Sequence, residues 1–219
     1  KWGYAYTADW QVDAETHEVK DLSVETLRQQ LAETRAELDD FVSLYQIHSA
    51  TLESGVLEDR AVLDELARLR DQGVAVGLTV TGPRQRETIE RALETGAFDA
   101  VQATWNPLER SAEPALEAAH AAGLTVIVKE ALANGRLTAR GDSEALLEAA
   151  RERGVTPDAL ALAAALAQPW ADIVLSGAAT VEQLESNLRA QELDYDADLD
   201  SLAEPPEAYW ETRSALAWN

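Results

Sequence analysis

Val42-Ser43-Leu44-Tyr45-Gln46-Ile47-His48-Ser49-Ala50 is the stretch on which the reading of this chain turns. Val42, Leu44, Tyr45 and Ile47 form an apolar run of the kind found in a buried strand. The run ends on His48, with the turn material Thr51-Leu52-Glu53-Ser54-Gly55 behind it. In a parallel α/β sheet the residue where a strand stops faces the rim on which ligands bind. His48 is therefore the leading candidate for a working residue. Residue type and place alone leave one alternative open, a histidine that packs at a strand end and bonds neighbouring backbone.

Working outward, the pattern alternates. Upstream, residues 1–22 are polar and aromatic (Tyr4, Tyr6, Trp10, His17) without a clear period, as in a long excursion after a strand. Ser23 is a good N-cap type, and Val24, Leu27, Leu31 and Leu38 after it follow helical spacing. Downstream, the spacing predicts a helix over 59–72 closed by Gly73, then a strand over 74–78. A helix ending at Gly96 precedes the strand 98–102, and one ending at Gly123 precedes the strand 124–128. Glycine at the helix exit, just ahead of a strand, is the chemistry of a tight helix-to-strand turn. After a long loop come a helix from Ser143 to Gly154 and a second opened by Thr156-Pro157. The strand 172–175 follows, then a helix opened by the capping box Thr180-x-x-Gln183. Helices alternating with strands imply one α/β domain over 1–219 on a parallel sheet with right-handed crossovers. Residues 191–207 read as surface chain, and the aromatic segment Tyr209 to Trp218 as one that docks.

Composition narrows the classes. Hydrophobic residues are 46% of the 219, enough for a globular core. There is no apolar run of membrane length and no signal-peptide pattern, which points to a soluble, cytoplasmic protein without a membrane partner. A net charge of −22 argues against nucleic acid as a partner. Zero cysteines exclude disulfides and thiolate chemistry, and with only His17, His48 and His120 no metal site is expected. Lysine occurs only at Lys1, Lys20 and Lys129, a balance that fits either salt adaptation or codon bias. The absence of methionine and the abrupt start on Lys1-Trp2-Gly3 suggest a fragment.

Five stretches, each at a strand end and in order, carry a resemblance. They are Tyr45-Gln46-Ile47-His48-Ser49, Gly77-Leu78-Thr79, Val101 to Leu108, Val126 to Gly135, and Val174 to Leu188. Together they resemble the aldo-keto reductases across nearly the whole chain. The resemblance implies a TIM-type (β/α)8 barrel, of which this chain supplies about strands 4–8 and the end of strand 3. It also implies an NADPH- or NADH-dependent oxidoreductase that reduces small aldehydes or ketones. The family's catalytic set is Asp, Tyr, Lys and His. A tyrosine protonates the alkoxide left by hydride transfer, its acidity raised by a nearby ammonium and a histidine.

His48 matches that histidine, and Lys1 matches the lysine; without the family, a terminal lysine is a solvated charge. The family's Asp and Tyr fall upstream of Lys1, so the chain should be inactive alone and completed by a missing N-terminal segment of the same protein. For the cofactor, Gln102 matches a contact to the nicotinamide carboxamide, and Thr79 matches the serine of a Ser-Asn pair whose second member here is Val80. Lys129 stands where a tyrosine stacks under the nicotinamide. Leu132 and Gly135 fit the loop that covers the pyrophosphate. Asn187 matches an adenine contact, or is a helix-surface asparagine. Gly177 and Gln183 stand where NADPH-preferring members carry Lys and Arg, and the helix opening at Thr180 offers backbone N–H groups to an anion. Two alternatives stay open: a reductase-like nucleotide-binding or regulatory module without turnover, and an unrelated barrel or doubly wound enzyme.

Overall fold

The computed structural model describes residues 1–8, 11, 14–141, 143–195 and 199–216. Its contacts group into two compact units, residues 1–101 with Leu216 and residues 102–215. Trp10 and Trp218 lie outside the described residues. Among the described residues no helix is long and apolar enough to cross a membrane.

In the first unit, the excursion after Lys1 folds into an antiparallel hairpin. β1 (Tyr4–Tyr6) pairs with β2 (Glu18–Lys20), Tyr4 opposite Lys20 and Tyr6 opposite Glu18. Strands of three residues with half-buried or exposed side chains leave no alternation in the sequence, so this hairpin is a feature the pattern conceals. α1 (Val24–Leu38) starts at Ser23, whose hydroxyl accepts the Thr26 N–H, and it buries Val24, Leu27 and Leu31. β3 (Leu44–Ala50), α2 (Arg60–Asp71), β4 (Ala75–Val80) and α3 (Gln85–Thr95) follow. Asp59 caps α2 by accepting from Ala61 and Val62 N–H, and Val62, Leu66 and Leu69 face inward. Gly96 closes α3 with φ 62°, a left-handed turn that β-carbon-bearing residues adopt reluctantly.

β3 and β4 are parallel, in register from Leu44 opposite Ala75 to Ile47 opposite Leu78, with a shift before Ala50 meets Val80. Trp2 makes a parallel bridge to Ile47 on the other side of β3: its N–H donates to the Gln46 carbonyl at 3.1 Å, and His48 N–H donates to its carbonyl at 2.9 Å. The segment Lys1-Trp2-Gly3 is thus strand-like chain beside β3, as expected. β5 (Ala100–Thr104) begins in this unit, next to β4 in the sheet order. The Asp99 carboxylate ahead of it accepts the Val76 N–H at 2.9 Å and pairs with Arg70 at 2.7 Å.

At Gly77 the two strands approach closely. A Cβ built there would lie 2.8 Å from the Ala100 carbonyl oxygen, and a main-chain atom cannot swing aside. Gly77→Val is accordingly expected to destabilise the fold by roughly 2–3 kcal/mol, read as a lowered urea midpoint. An unchanged midpoint would show that this contact relaxes freely.

The second unit repeats the design. The rest of β5, then β6 (Thr125–Lys129) and β7 (Ile173–Val174) lie in that order, with β6 and β7 parallel. α4 (Glu113–Ala121) connects the first two. Asp172 stands to β6 as Asp99 stands to β4: its carboxylate accepts the Val126 N–H at 2.7 Å. α5 (Glu144–Arg153) is capped by Ser143, and α6 (Pro157–Leu166) by Thr156. Apart from Asp158 in its first turn α6 is apolar, and Ala159 to Ala165 are all buried, as such a helix requires. α7 (Val181–Leu188) opens at Thr180. Val181, Leu184 and Leu188 stay exposed along it, and so do Ile173 and Leu175.

The carboxyl-terminal aromatic segment does dock. α8 (Pro206–Ser214) buries Tyr209 and Trp210, and the Asn106 side-chain amide donates to the Tyr209 hydroxyl at 3.1 Å. The preceding acidic stretch is mostly at the surface, but Leu199 is buried and Glu204 pairs with Arg136 at 2.5 Å.

Candidate functional site

The first unit brings together the carboxyl-terminal ends of β3 and β4. His48 is half-buried near the end of β3, and its ring meets the Tyr4 ring edge-on with centroids 4.7 Å apart. Ser49, the next residue, has φ 57° and donates its N–H to the Thr79 hydroxyl at 2.8 Å. Thr79 is 1% exposed, so its oxygen serves the backbone of β3, while the hydroxyl proton can still be donated. Lys20 from β2 donates to the Ser49 carbonyl at 2.6 Å. Lys1 sits one residue before the bridged Trp2, and burial lowers its side-chain pKa. Burial also lowers the Lys20 ammonium, against the opposing pull of Glu53.

In the second unit, Gln102 lies on β5 at 3% exposure. Its side chain ends in an amide. A carboxamide is the complementary group, since each offers one carbonyl acceptor and two N–H donors. Gln102 therefore fits the carboxamide of a nicotinamide.

Lys129 ends β6 with its side chain 15% exposed, and its ammonium is 3.9 Å from Glu130. Glu130 is the residue that sequence reasoning missed. It has φ 55°, and its carboxylate takes Arg213 of α8 at 2.7 Å, while its carbonyl accepts from Asn106 at 2.9 Å. Burial by itself pushes the Glu130 carboxyl up. The Arg213 hydrogen bond and the charges of Lys129 and Arg213 outweigh that and hold it below its ordinary value. The loop then turns through Leu132, whose carbonyl accepts from Gly135 at 2.9 Å and Leu137 at 3.2 Å. Gly135 takes φ 95°.

Around the start of α7, Gly177 has φ 64°, and Thr180 accepts the Gln183 N–H at 3.2 Å. The Gln183 side chain reaches back to accept the Ala179 N–H at 2.8 Å. Asn187 is 7% exposed, and its amide donates to the Ser176 carbonyl at 2.9 Å. Gln183 and Asn187 thus already use hydrogen-bonding capacity on the chain itself. No group of three His, Cys, Asp or Glu side chains among the described residues could hold a metal ion.

Comparison with known proteins bears on this geometry. A family model described as "Aldo/keto reductase family" matches residues 10–201. No curated protein sequence matches the chain. Among solved structures, the holo form of the aldo-keto reductase AKR11C1 from Bacillus halodurans is similar with a TM-score of 0.62 at 20% identity, covering 88% of this chain and 68% of its own. Its apo form gives 0.63 at 20% identity, with 87% and 69% covered. The thermostable aldo-keto reductase Tm1743, solved with the inhibitor epalrestat, gives 0.66 at 27% identity, with 86% and 67% covered. The fold is an α/β fold of the TIM type.

Proposed function

Given that the chain belongs to the aldo/keto reductase family, we propose that it reduces aldehydes or ketones to alcohols with a nicotinamide dinucleotide, as part of a larger barrel. The observation that carries this reading is Gln102, a buried glutamine on β5 whose side-chain amide is complementary to a carboxamide. A bound nicotinamide supplies hydride to the carbonyl carbon. His48 hydrogen-bonds the developing alkoxide, and Lys1 keeps positive charge beside it. Thr79, whose hydroxyl proton can still be donated, would hold the cofactor amide. Lys129 stands at the position where the family carries a stacking aromatic and would line the nicotinamide site. Leu132 and Gly135 shape the loop over the pyrophosphate, and Gly177, Thr180, Gln183 and Asn187 form the nucleotide end.

We read residues 1–219 as one partial barrel domain, about strands 4–8 of the eight, and the unbroken family match over 10–201 supports this. Ile173, Leu175, Val181, Leu184 and Leu188 are apolar residues left exposed in and around β7 and α7. The partner is otherwise a small carbonyl substrate in the cytoplasm, and −22 charges disfavour nucleic acid. A non-catalytic nucleotide-binding module is the second reading, favoured by Lys129 in the stacking position and by the absence of a cation at Gly177 or Gln183.

Titrating NADPH and NADH against tryptophan fluorescence of the full-length protein tests both. Charge-assisted bonds to a 2′-phosphate are worth roughly 1.5–3 kcal/mol each, and Gly177 and Gln183 supply none. The expected result is binding of both cofactors with at most about a tenfold preference for NADPH, weakened about tenfold or more by Gln102→Leu. A hundredfold preference for NADPH would show the phosphate site misread. Binding without turnover would favour the module, and binding of neither would sink the cofactor reading.

A further inference from the structure

Within the second unit, the chain from Asp200 to Arg213 is tied to the exits of two neighbouring strands. At the exit of β5, Glu204 N–H donates to the Leu108 carbonyl at 2.8 Å, and Asp200 pairs with Arg110. At the exit of β6, Arg213 holds the Glu130 carboxylate at 2.7 Å. Glu204 takes both ends of the Arg136 guanidinium fork, at 3.1 and 2.5 Å. Asn106 joins the two sets, because its amide nitrogen donates to the Glu130 carbonyl at 2.9 Å and to the Tyr209 hydroxyl at 3.1 Å. The turn from Leu132 to Gly135 is thereby gripped on both sides, at Glu130 before it and at Arg136 after it. Such a grip has work to do there. Glu130 and Ala133 hold φ of 55° and 46°, a backbone region that residues with a β-carbon keep only where their surroundings enforce it. The turn's own bonds are local, Ala133 N–H to the Glu130 carbonyl at 2.8 Å and Gly135 N–H to the Leu132 carbonyl at 2.9 Å. The ties from Glu204, Tyr209 and Arg213 add long-range restraint.

We infer that Glu204 is a positioning residue for dinucleotide binding, acting through Arg136 to keep the loop 130–136 in its binding-competent form. The inference rests on the reductase reading above, which sets Leu132 and Gly135 over the pyrophosphate. A site that is competent only part of the time binds with its affinity reduced by that fraction. Ligand that fills the site draws the loop back, so the loss falls on affinity and not on the rate of the filled enzyme. The Arg136 and Glu204 side chains are 20% and 28% exposed, shielded enough for the fork to hold better than a surface ion pair. Arg136 also lies over the Tyr209 ring at 5.8 Å, so its stem is fixed from a second side. The sign of the effect separates positioning from plain electrostatics. Glu204 brings negative charge to a loop that meets an anion, and by charge alone its removal strengthens binding. By positioning, its removal weakens binding.

The test compares wild type and Glu204→Gln in the full-length protein by titrating NADPH and NADH against tryptophan fluorescence. Glu204→Gln should bind both about tenfold more weakly, with KM for the dinucleotide raised and kcat kept at saturating cofactor. Without cofactor, the amides of Ala133, Gly135 and Leu137 should exchange hydrogen about tenfold faster in the variant. Arg136→Met should weaken binding as much as Glu204→Gln, and the double variant no more than either, because the two side chains form one tie. Should Glu204→Gln fail to fold, Arg136→Lys, which keeps the cation and loses the fork, is read in the same way with about a threefold loss expected. Unchanged or tighter binding by Glu204→Gln overturns the inference and leaves the reductase reading standing. So does a double variant about a hundredfold weaker, the additive result of two independent contacts. A wild type that binds neither dinucleotide overturns the reductase reading, and the inference with it.

Discussion

His48→Gln in the full-length protein should lower kcat/KM for carbonyl reduction by roughly 10²–10⁴-fold, with cofactor affinity unchanged. Glutamine keeps a polar side chain of similar length, and His48 N–H still donates to the Trp2 carbonyl because that bond is main-chain. What is lost is a group that can hold or share a proton beside the reacting oxygen. The discriminating measurement is steady-state kinetics alongside thermal melting. If rate is kept and the melting temperature falls, His48 is a packing residue at the end of β3, the alternative its residue type leaves open. If rate falls while melting is unchanged, its role is chemical.

A second large effect is expected far along the chain, at Arg213. Its guanidinium holds Glu130 through Nη2 at 2.7 Å and Nε at 3.2 Å, and lies over the Trp210 ring at 5.7 Å. The Glu130 side chain is 14% exposed and Arg213 36%, so one partner is well shielded and the other is partly screened by water. Arg213→Met removes that cation and leaves a mostly buried carboxylate with the Lys129 charge and the Thr104 hydrogen bond. Losing one partner of a buried pair costs about 3–5 kcal/mol, and the exposure of Arg213 brings the expectation to about 2–3 kcal/mol at neutral pH.

The pH dependence has a definite sign. In the folded chain Glu130 is held below its ordinary value of 4.5. Its contribution is therefore full above that value and is lost as pH falls through the lower, folded one. In Arg213→Met the largest lowering influence on Glu130 is gone, so urea midpoints of variant and wild type should converge as pH drops below about 4. Parallel midpoints across that range would mean that the ion pair contributes nothing and that the loss comes from packing on Trp210.

Helix ends and strand ends were legible along the chain because their causes are local. A hydroxyl at Ser23 or Thr180 meets an N–H three residues on, a carboxylate at Asp59 does the same, and Gly96 relieves a left-handed turn. The same locality placed His48, Thr79, Gln102 and Lys129 at or near the carboxyl ends of consecutive strands. No periodicity could announce contacts between residues far apart in sequence. Glu130 and Arg213 are separated by 83 positions, and Asn106 and Tyr209 by 103. Nor could side-chain type reveal how a hydrogen bond is spent. Thr79 accepts from Ser49, and Asn187 donates to Ser176, although as residue types both suit a ligand equally well. The hairpin that sets Tyr4 and Lys20 on the end of β3 was hidden for a related reason. Two strands of three residues, neither buried on one face, pair by backbone hydrogen bonds that any sequence can make, and only the folded chain decides which residues they bring together.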